Sequence, residues 1–166
     1  GLLLAVLSIR IWKSIFFYFN PALSKIYLQI GLSACLFIGP FLYFYVKTKT
    51  SYLKEVKRHW YYQLSFLLLL IVVVGYLYPY QKYPELWGDQ FYKFINYQWL
   101  VLILASGLLL KDLFVKLLNK NAPLDHNDVW VLSVFFGVFM IWTAYFTASY
   151  TSYITGALCF SFTLYL

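Results

Sequence analysis

Acidic side chains are scarce in this chain. Asp and Glu supply only 6 of its 166 residues and charged residues only 11% of it, whereas about a quarter of an ordinary soluble domain is charged.

Cysteine and histidine are also rare, with 2 of each. Cys35 and Cys159 stand in apolar runs, which favours small packing residues over a redox site. His59 and His126 form no His-x-x-x-His pair, so we expect no metal site and no cofactor.

Sequence patterns that support catalysis are missing as well. The chain has no Gly-x-Ser-x-Gly elbow, no glycine-rich phosphate loop and no pair of carboxylates within its apolar stretches. Hydrolysis and phosphoryl transfer depend on such arrangements. We therefore expect that the protein is not an enzyme.

Apolar and aromatic residues are abundant, at 63% and 23% of the chain. This composition is typical of a polytopic membrane protein, in which each crossing helix needs about 20 apolar residues. The sequence predicts an all-α membrane helix bundle of about six transmembrane helices, forming a single domain over residues 1–166. The predicted segments are Gly1–Phe19, Leu23–Val46, a third that opens at Trp60 and has its core at Leu64–Tyr78, then Phe94–Leu118, Val129–Ala148 and Tyr150–Leu166. The first residue is not Met and the last stands in an apolar run, which predicts truncation at both ends.

Basic residues predict the orientation of the bundle. With six crossings, the loops at Lys47–His59 and Leu118–Asp128 lie on the same side as both chain ends. The basic residues on that side are Lys47, Lys49, Lys54, Lys57, Arg58, Lys111, Lys116 and Lys120. Those on the opposite side are Lys25, Lys82 and Lys93. Because basic residues accumulate on the inner side of a membrane, the first side and both ends of the chain are predicted to be cytoplasmic.

Two basic residues stand inside the first apolar segment. Arg10 and Lys13 are three positions apart, so they share one face of a helix. Ionisable groups within a membrane span mark functional sites by default, and an anionic ligand or a carboxylate on a neighbouring helix would satisfy this pair. The alternative interpretation is that both side chains extend to the membrane interface.

Gly39-Pro40 lies inside the second apolar segment. A proline there cannot donate to the carbonyl of Leu36 and crowds it, so we expect a kink. Neighbouring helices can support such a kink in a membrane. Because the backbone bonding is already broken at this point, Gly39 and Pro40 are the candidate pivot for a conformational change.

Aromatic side chains provide a candidate cavity lining, because 17 Tyr and 16 Phe exceed what interfacial belts require. Their rings could make apolar contacts while the hydroxyl groups orient a ligand. The alternative is ordinary packing and interface anchoring. The candidates are Tyr43, Tyr45, Trp142, Tyr145, Tyr150 and Tyr153.

Several motifs together resemble the membrane-embedded N-terminal sensor region of AraC-type transcription regulators found in Bacteroidetes-type bacteria. The most specific part is Gly39-Pro40-x-Leu42-Tyr43-x-Tyr45, which is followed by a basic loop. The resemblance covers nearly the whole chain. The other segments that carry it are Arg10–Ser14 with Tyr18 and Phe19, Gln29–Ser33, and Tyr153–Ala157 with Phe160 and Phe162.

The resemblance implies a domain of seven helices before a cytoplasmic helix-turn-helix domain, of which this chain would be helices two to seven. It implies a multi-pass sensor in the bacterial cytoplasmic membrane that detects a small or lipophilic signal. Its other partners would be the lipid bilayer, a second copy in a homodimer, and DNA only through a C-terminal domain that this sequence lacks. Two alternatives stay open: a fragment of a small-molecule transporter or channel, and the membrane input region of a sensor kinase.

Overall fold

The computed structural model describes residues 2–20, 24–50, 58–118 and 125–148. Throughout these ranges the chain forms helices joined by short connections, and no strand occurs in them. This confirms the all-α fold. The elements are α1 (Leu2–Phe19), α2 (Ile26–Thr50), α3 (Arg58–Leu77), a π-helical turn (Leu86–Phe91), α4 (Tyr92–Leu109), α5 (Lys111–Leu118) and α6 (His126–Ala148).

Three of the described helices are long and apolar enough to cross a membrane. They are Ile26–Thr50, Arg58–Leu77 and, within α6, His126–Thr147. Each has at least 20 residues and so spans about 30 Å or more. Helices of this length and apolar composition support the membrane character predicted from the sequence. The predicted sixth segment, Tyr150–Leu166, lies outside the described residues.

The predicted fourth segment, Phe94–Leu118, is divided in two by the structure. Leu110 leaves the helical conformation, with φ −90° and ψ 4°, and its N–H donates to the carbonyls of Ser106 and Gly107. The separate helix α5 then begins at Lys111. The apolar run also ends at this point, since α5 opens with Lys111 and Asp112.

Helix α2 is the centre of the packing. Its most extensive contacts are with α4 and α1, and α4 in turn contacts α6. Helix α3 lies at the periphery, and Trp60 is its only buried residue. The apolar side chains that exclude solvent most completely are Ile38, Leu42, Val46, Trp60, Trp99, Ile103 and Leu110.

Gly39 allows α2 and α4 to approach each other closely. A Cβ atom at this position would lie 3.0 Å from Leu102 Cδ1, 3.3 Å from Leu102 Cβ and 3.4 Å from Trp99 Cα. Small residues commonly permit such close contacts between membrane helices. Helix α2 continues without interruption through Pro40, while the kink and its role as a pivot remain predictions.

The ends of the helices form two groups, one at each end of the bundle. At one end, which we call the basic end, Phe44 of α2 stacks on Trp60 of α3 at 4.8 Å, and Lys116 Nζ lies 3.8 Å from Asp128 Oδ2. The connection end includes the start of α2 and the segment between α3 and α4. The successive directions of α2, α3, the α4–α5 pair and α6 therefore alternate, and the end of α2, the start of α3, the end of α5 and the start of α6 lie at the basic end.

Candidate functional site

A polar and aromatic cluster joins α4 to α6 near the connection end. We call it the interhelical cluster; its members are Tyr92, Asn96, Trp99, Trp142 and Tyr145. The Tyr92 hydroxyl donates to the Tyr145 carbonyl at 2.9 Å, and Trp142 Nε1 donates to the Asn96 carbonyl at 3.1 Å. The side-chain amide of Asn96 donates to the Tyr92 carbonyl at 2.8 Å. Side-chain hydrogen bonds thus connect α4 and α6 at this point.

The spacing along each helix explains how the cluster forms. Positions 92, 96 and 99 recur every three or four residues and therefore share one face of α4. Positions 142 and 145 share a face of α6 for the same reason. The rings of Trp99 and Tyr145 come to 6.4 Å between centroids. Asn96 is only 7% exposed, so its amide must find hydrogen bonds inside the protein.

A small cavity lies between this cluster and α2. It is a narrow gap, partly open to the outside, with a free volume of only about 10 Å³. The indole nitrogen of Trp99 is buried and has no hydrogen-bond acceptor among the described residues. The indole N–H of Trp99 is therefore a hydrogen-bond donor without an acceptor in the described part of the chain, and it lies where α2, α4 and α6 meet. The residues that line the cavity are Leu32, Cys35, Tyr92, Ile95, Asn96, Trp99 and Tyr145.

The predicted pivot and two of the predicted aromatics come together here. Gly39 packs against the backbone of Trp99, and Trp142 and Tyr145 belong to the interhelical cluster. Gly39 therefore adjoins the residue that connects α2 to this cluster. Pro40 is partly buried beside it.

Tyr43 and Tyr45 lie further toward the basic end. The Tyr43 hydroxyl accepts a hydrogen bond from Lys47 Nζ at 3.4 Å, and the same ammonium lies 5.3 Å from the centre of the Tyr43 ring. Tyr45 packs against the core, with its hydroxyl buried and the indole of Trp130 beside it. The other two candidates, Tyr150 and Tyr153, lie outside the described residues.

Arg10 and Lys13 lie on α1, which packs along α2. The described residues include their backbone, whereas their side chains fall outside the description. Their role as an anion site stays a prediction. Within the described ranges, no group of three or more His, Cys, Asp or Glu residues is arranged to hold a metal ion.

Sequence reasoning missed Asn96 and Trp99, and it used Gln29 only as part of a family motif. A signal for Asn96 was present, because an amide within an apolar membrane segment needs a partner inside the bundle. Trp99 carried no comparable signal. Its burial depends on Gly39, which is 60 residues earlier in the sequence.

No protein-family model matches the chain, and no curated protein or solved structure matches it either. The resemblance to AraC-type regulators therefore stays a prediction. A functional proposal has to rest on the chain's own residues and their geometry.

Proposed function

We propose that the chain is a non-enzymatic membrane sensor domain that passes a signal from one side of the bilayer to the other. One observation carries the proposal: the same helix, α2, makes side-chain contacts with neighbouring segments at both ends. Near its start, Gln29 bonds to Gly75 and Tyr80 at the connection end. Near its end, Lys47 lies against the rings of Tyr43 and Trp60 at the basic end.

The middle of α2 has the properties that a signal-transmitting helix requires. Pro40 removes one backbone hydrogen bond to the preceding turn, so the helix is easiest to bend there. Gly39 brings this point against Trp99 and hence against the interhelical cluster. Suppose that α2 has two conformations that differ in how far it bends. A ligand that binds these conformations with unequal affinity would shift their populations and move Lys47 and the segment after it.

The finer form of the proposal is a six-crossing bundle in the bacterial cytoplasmic membrane, with the basic end and both chain ends in the cytoplasm. The distribution of charge supports it. At the connection end, Lys93 is paired with Asp89 at 2.6 Å, so its charge is partly offset. The described basic residues of the basic end are Lys47, Lys49, Arg58, Lys111 and Lys116.

We further propose that the output is transcriptional, through an AraC-type DNA-binding domain downstream of residue 166. The motif around Gly39-Pro40 supports this choice, and a cytoplasmic exit for the chain is compatible with it. The signal would be a small or lipophilic molecule, and a homodimer would let two DNA-binding domains act together.

Transcript profiling of the bacterium that carries the full-length gene tests the proposal. Pro40→Ala restores the missing N–H and should change the set of regulated transcripts, while the abundance of the protein in the membrane stays the same. Ile30→Ala is the matched control, because Ile30 is an exposed position on the same helix. An unchanged profile in Pro40→Ala at normal abundance would contradict the proposal, as would solute uptake by proteoliposomes that contain the protein.

A further inference from the structure

The segment that joins α3 to α4 forms a cleft at the connection end, which we call the connection cleft. It has a volume of about 860 Å³ and is partly open to the outside. Pockets that bind small molecules have volumes of about 300–1,000 Å³, so this cleft has room for such a ligand. Its lining residues are Lys82, Tyr83, Pro84, Glu85, Leu86, Gly88, Asp89 and Gln90.

A π-helical turn, Leu86–Phe91, supplies half of that lining. π-Helices are rare, and they occur frequently at functional sites. Trp87 holds the turn in place, because its ring is buried and its indole nitrogen donates to the Tyr78 carbonyl at 2.6 Å. The turn is therefore fixed on its inner side, while the residues before and after Trp87 line the cleft.

The cleft presents one free charge of each sign. Lys82 and Glu85 are both exposed, and neither has an ion-pair partner among the residues that the structure describes. The third charged residue of the lining, Asp89, is paired with Lys93 at 2.6 Å, so its charge is partly offset. A ligand that carries both an ammonium and a carboxylate group would pair with both free charges, whereas a singly charged ligand would leave one of them unpaired.

Hydrogen bonds connect the cleft to the start of α2. The N–H of Tyr80 donates to Gln29 Oε1 at 3.0 Å, and the side-chain amide of Gln81 donates to the Ser24 hydroxyl at 3.4 Å. Tyr80 and Gln81 immediately precede Lys82. A ligand that moves Lys82 would therefore act on the helix that runs to the basic end.

We infer that the connection cleft binds a zwitterionic small molecule, such as a short peptide. The carboxylate of this ligand pairs with Lys82 and its ammonium group pairs with Glu85, while Tyr83 and Leu86 provide apolar contact. That the bound molecule is the signal rests on the proposed sensor function, whereas the binding itself does not depend on it.

Calorimetric titration of the protein in lipid nanodiscs tests the inference. The probe is the tripeptide alanyl-phenylalanyl-alanine, whose free ends carry an ammonium and a carboxylate group. Its N-acetylated form lacks the ammonium group, and its C-amidated form lacks the carboxylate. We expect the free tripeptide to bind and each blocked form to bind about tenfold more weakly, because each has lost one charge-assisted hydrogen bond.

Charge variants assign each end of the ligand. Lys82→Gln should remove the preference for the free tripeptide over its C-amidated form, and Glu85→Gln should remove the preference over its N-acetylated form. Lys25→Gln is the control, because Lys25 is an exposed lysine at the same end and does not line the cleft. It should leave both preferences unchanged.

Gly88 provides a steric test that leaves the charges unaltered. A Cβ atom at this position meets no atom within 4 Å, so Gly88→Phe should place its ring in the cleft without displacing the protein. We expect the free tripeptide to bind about tenfold more weakly to this variant, while the melting temperature stays nearly the same. Gly88→Ala adds only one methyl group and should leave binding nearly unaltered.

Three results would overturn the inference. They are no binding of the free tripeptide, equal binding of its three forms, and equal binding by Gly88→Phe and Gly88→Ala. Transcript profiling of Pro40→Ala reports on the sensor function without any added ligand, so failure of one proposal is distinguishable from failure of the other.

Discussion

The side-chain amide of Gln29 is hydrogen-bonded to the carbonyl of Gly75 across the α2–α3 interface, at 3.1 Å. The same amide accepts the N–H of Tyr80 at 3.0 Å. One side chain thus connects the start of α2 to the end of α3 and to the segment that follows it. A Cβ atom at Gly75 would lie too close to Gln29 Nε2, so the amide would have to move away if Gly75 carried a side chain.

Replacing Gly75 by Ala should break this connection as effectively as removing Gln29. The added methyl displaces the amide, and hydrogen bonds between membrane helices contribute about 0.6 kcal/mol each on average. Gly75→Ala and Gln29→Ala should therefore each destabilise the protein by about 1 kcal/mol. The double variant should be no less stable than either single one, because both remove the same bonds. Melting temperatures in detergent provide the measurement.

Gly88→Ala is the control for the comparison of the Gly75→Ala, Gln29→Ala and double variants. A Cβ atom at Gly88 meets no atom within 4 Å, so the change should leave the melting temperature nearly unaltered. Additive losses from Gly75→Ala and Gln29→Ala would show that the two residues act independently.

Gly39 should tolerate only a very small side chain. Gly39→Val places its methyl groups against Leu102 and the backbone of Trp99, and overpacking of this kind costs about 1–3 kcal/mol. We expect a lower melting temperature and weaker protection of α4 from hydrogen exchange. Gly107→Ala is the comparison, because its Cβ would lie at an ordinary contact distance of 3.4 Å from Phe135 Cζ. Equal stability of Gly39→Val and the unaltered protein would rule out the close α2–α4 approach.

The hydrogen bonds of the interhelical cluster can be removed one at a time. Tyr92→Phe deletes the donor to the Tyr145 carbonyl, and Trp142→Phe deletes the donor to the Asn96 carbonyl. Each should cost about 0.5–1.5 kcal/mol of stability. Tyr97→Phe, at an exposed position on α4, should cost less than either. The hypothesis fails if all three variants melt at the same temperature as the unaltered protein.

Cysteine labelling checks the orientation. In a chain with Cys35 and Cys159 replaced by Ala, a membrane-impermeant maleimide added to intact spheroplasts should label Lys82→Cys. It should not label Lys49→Cys until the membrane is broken. The expectation follows from the greater basic charge at the basic end. Labelling of Lys49→Cys in intact spheroplasts would reverse the proposed topology.

Composition and apolar run length predicted the position of α2 closely. Helix α2 begins three residues after Leu23, the expected start, and ends four residues after Val46, the expected end. The break at Leu110 was missed because a run of leucines precedes it and the charged residues lie only at its far side. Local sequence does not show where a long apolar run stops being a single helix.

The candidate site was predicted only in part. Gly39, Trp142 and Tyr145 stood out by type, and their role stays a prediction. Gly39 contacts the backbone of Trp99, and the ring of Tyr145 lies 6.4 Å from the Trp99 ring. Their meeting point at Trp99 could not be predicted, because it depends on which faces of α2, α4 and α6 pack together. Apolar faces of membrane helices look alike in sequence, since lipid and protein both accept leucine and phenylalanine.

The pairing of α2 with α4 affects the order in which the core forms during synthesis of the chain. Helix α3 stands between them in the sequence but contributes almost nothing to their contact. In a nascent chain, Ile38 and Leu42 therefore lack the packing partners that α4 supplies until α4 has been synthesised. The core around Ile38 and Leu42 is therefore completed only after α3 and α4 have both been synthesised, and not in the order of translation.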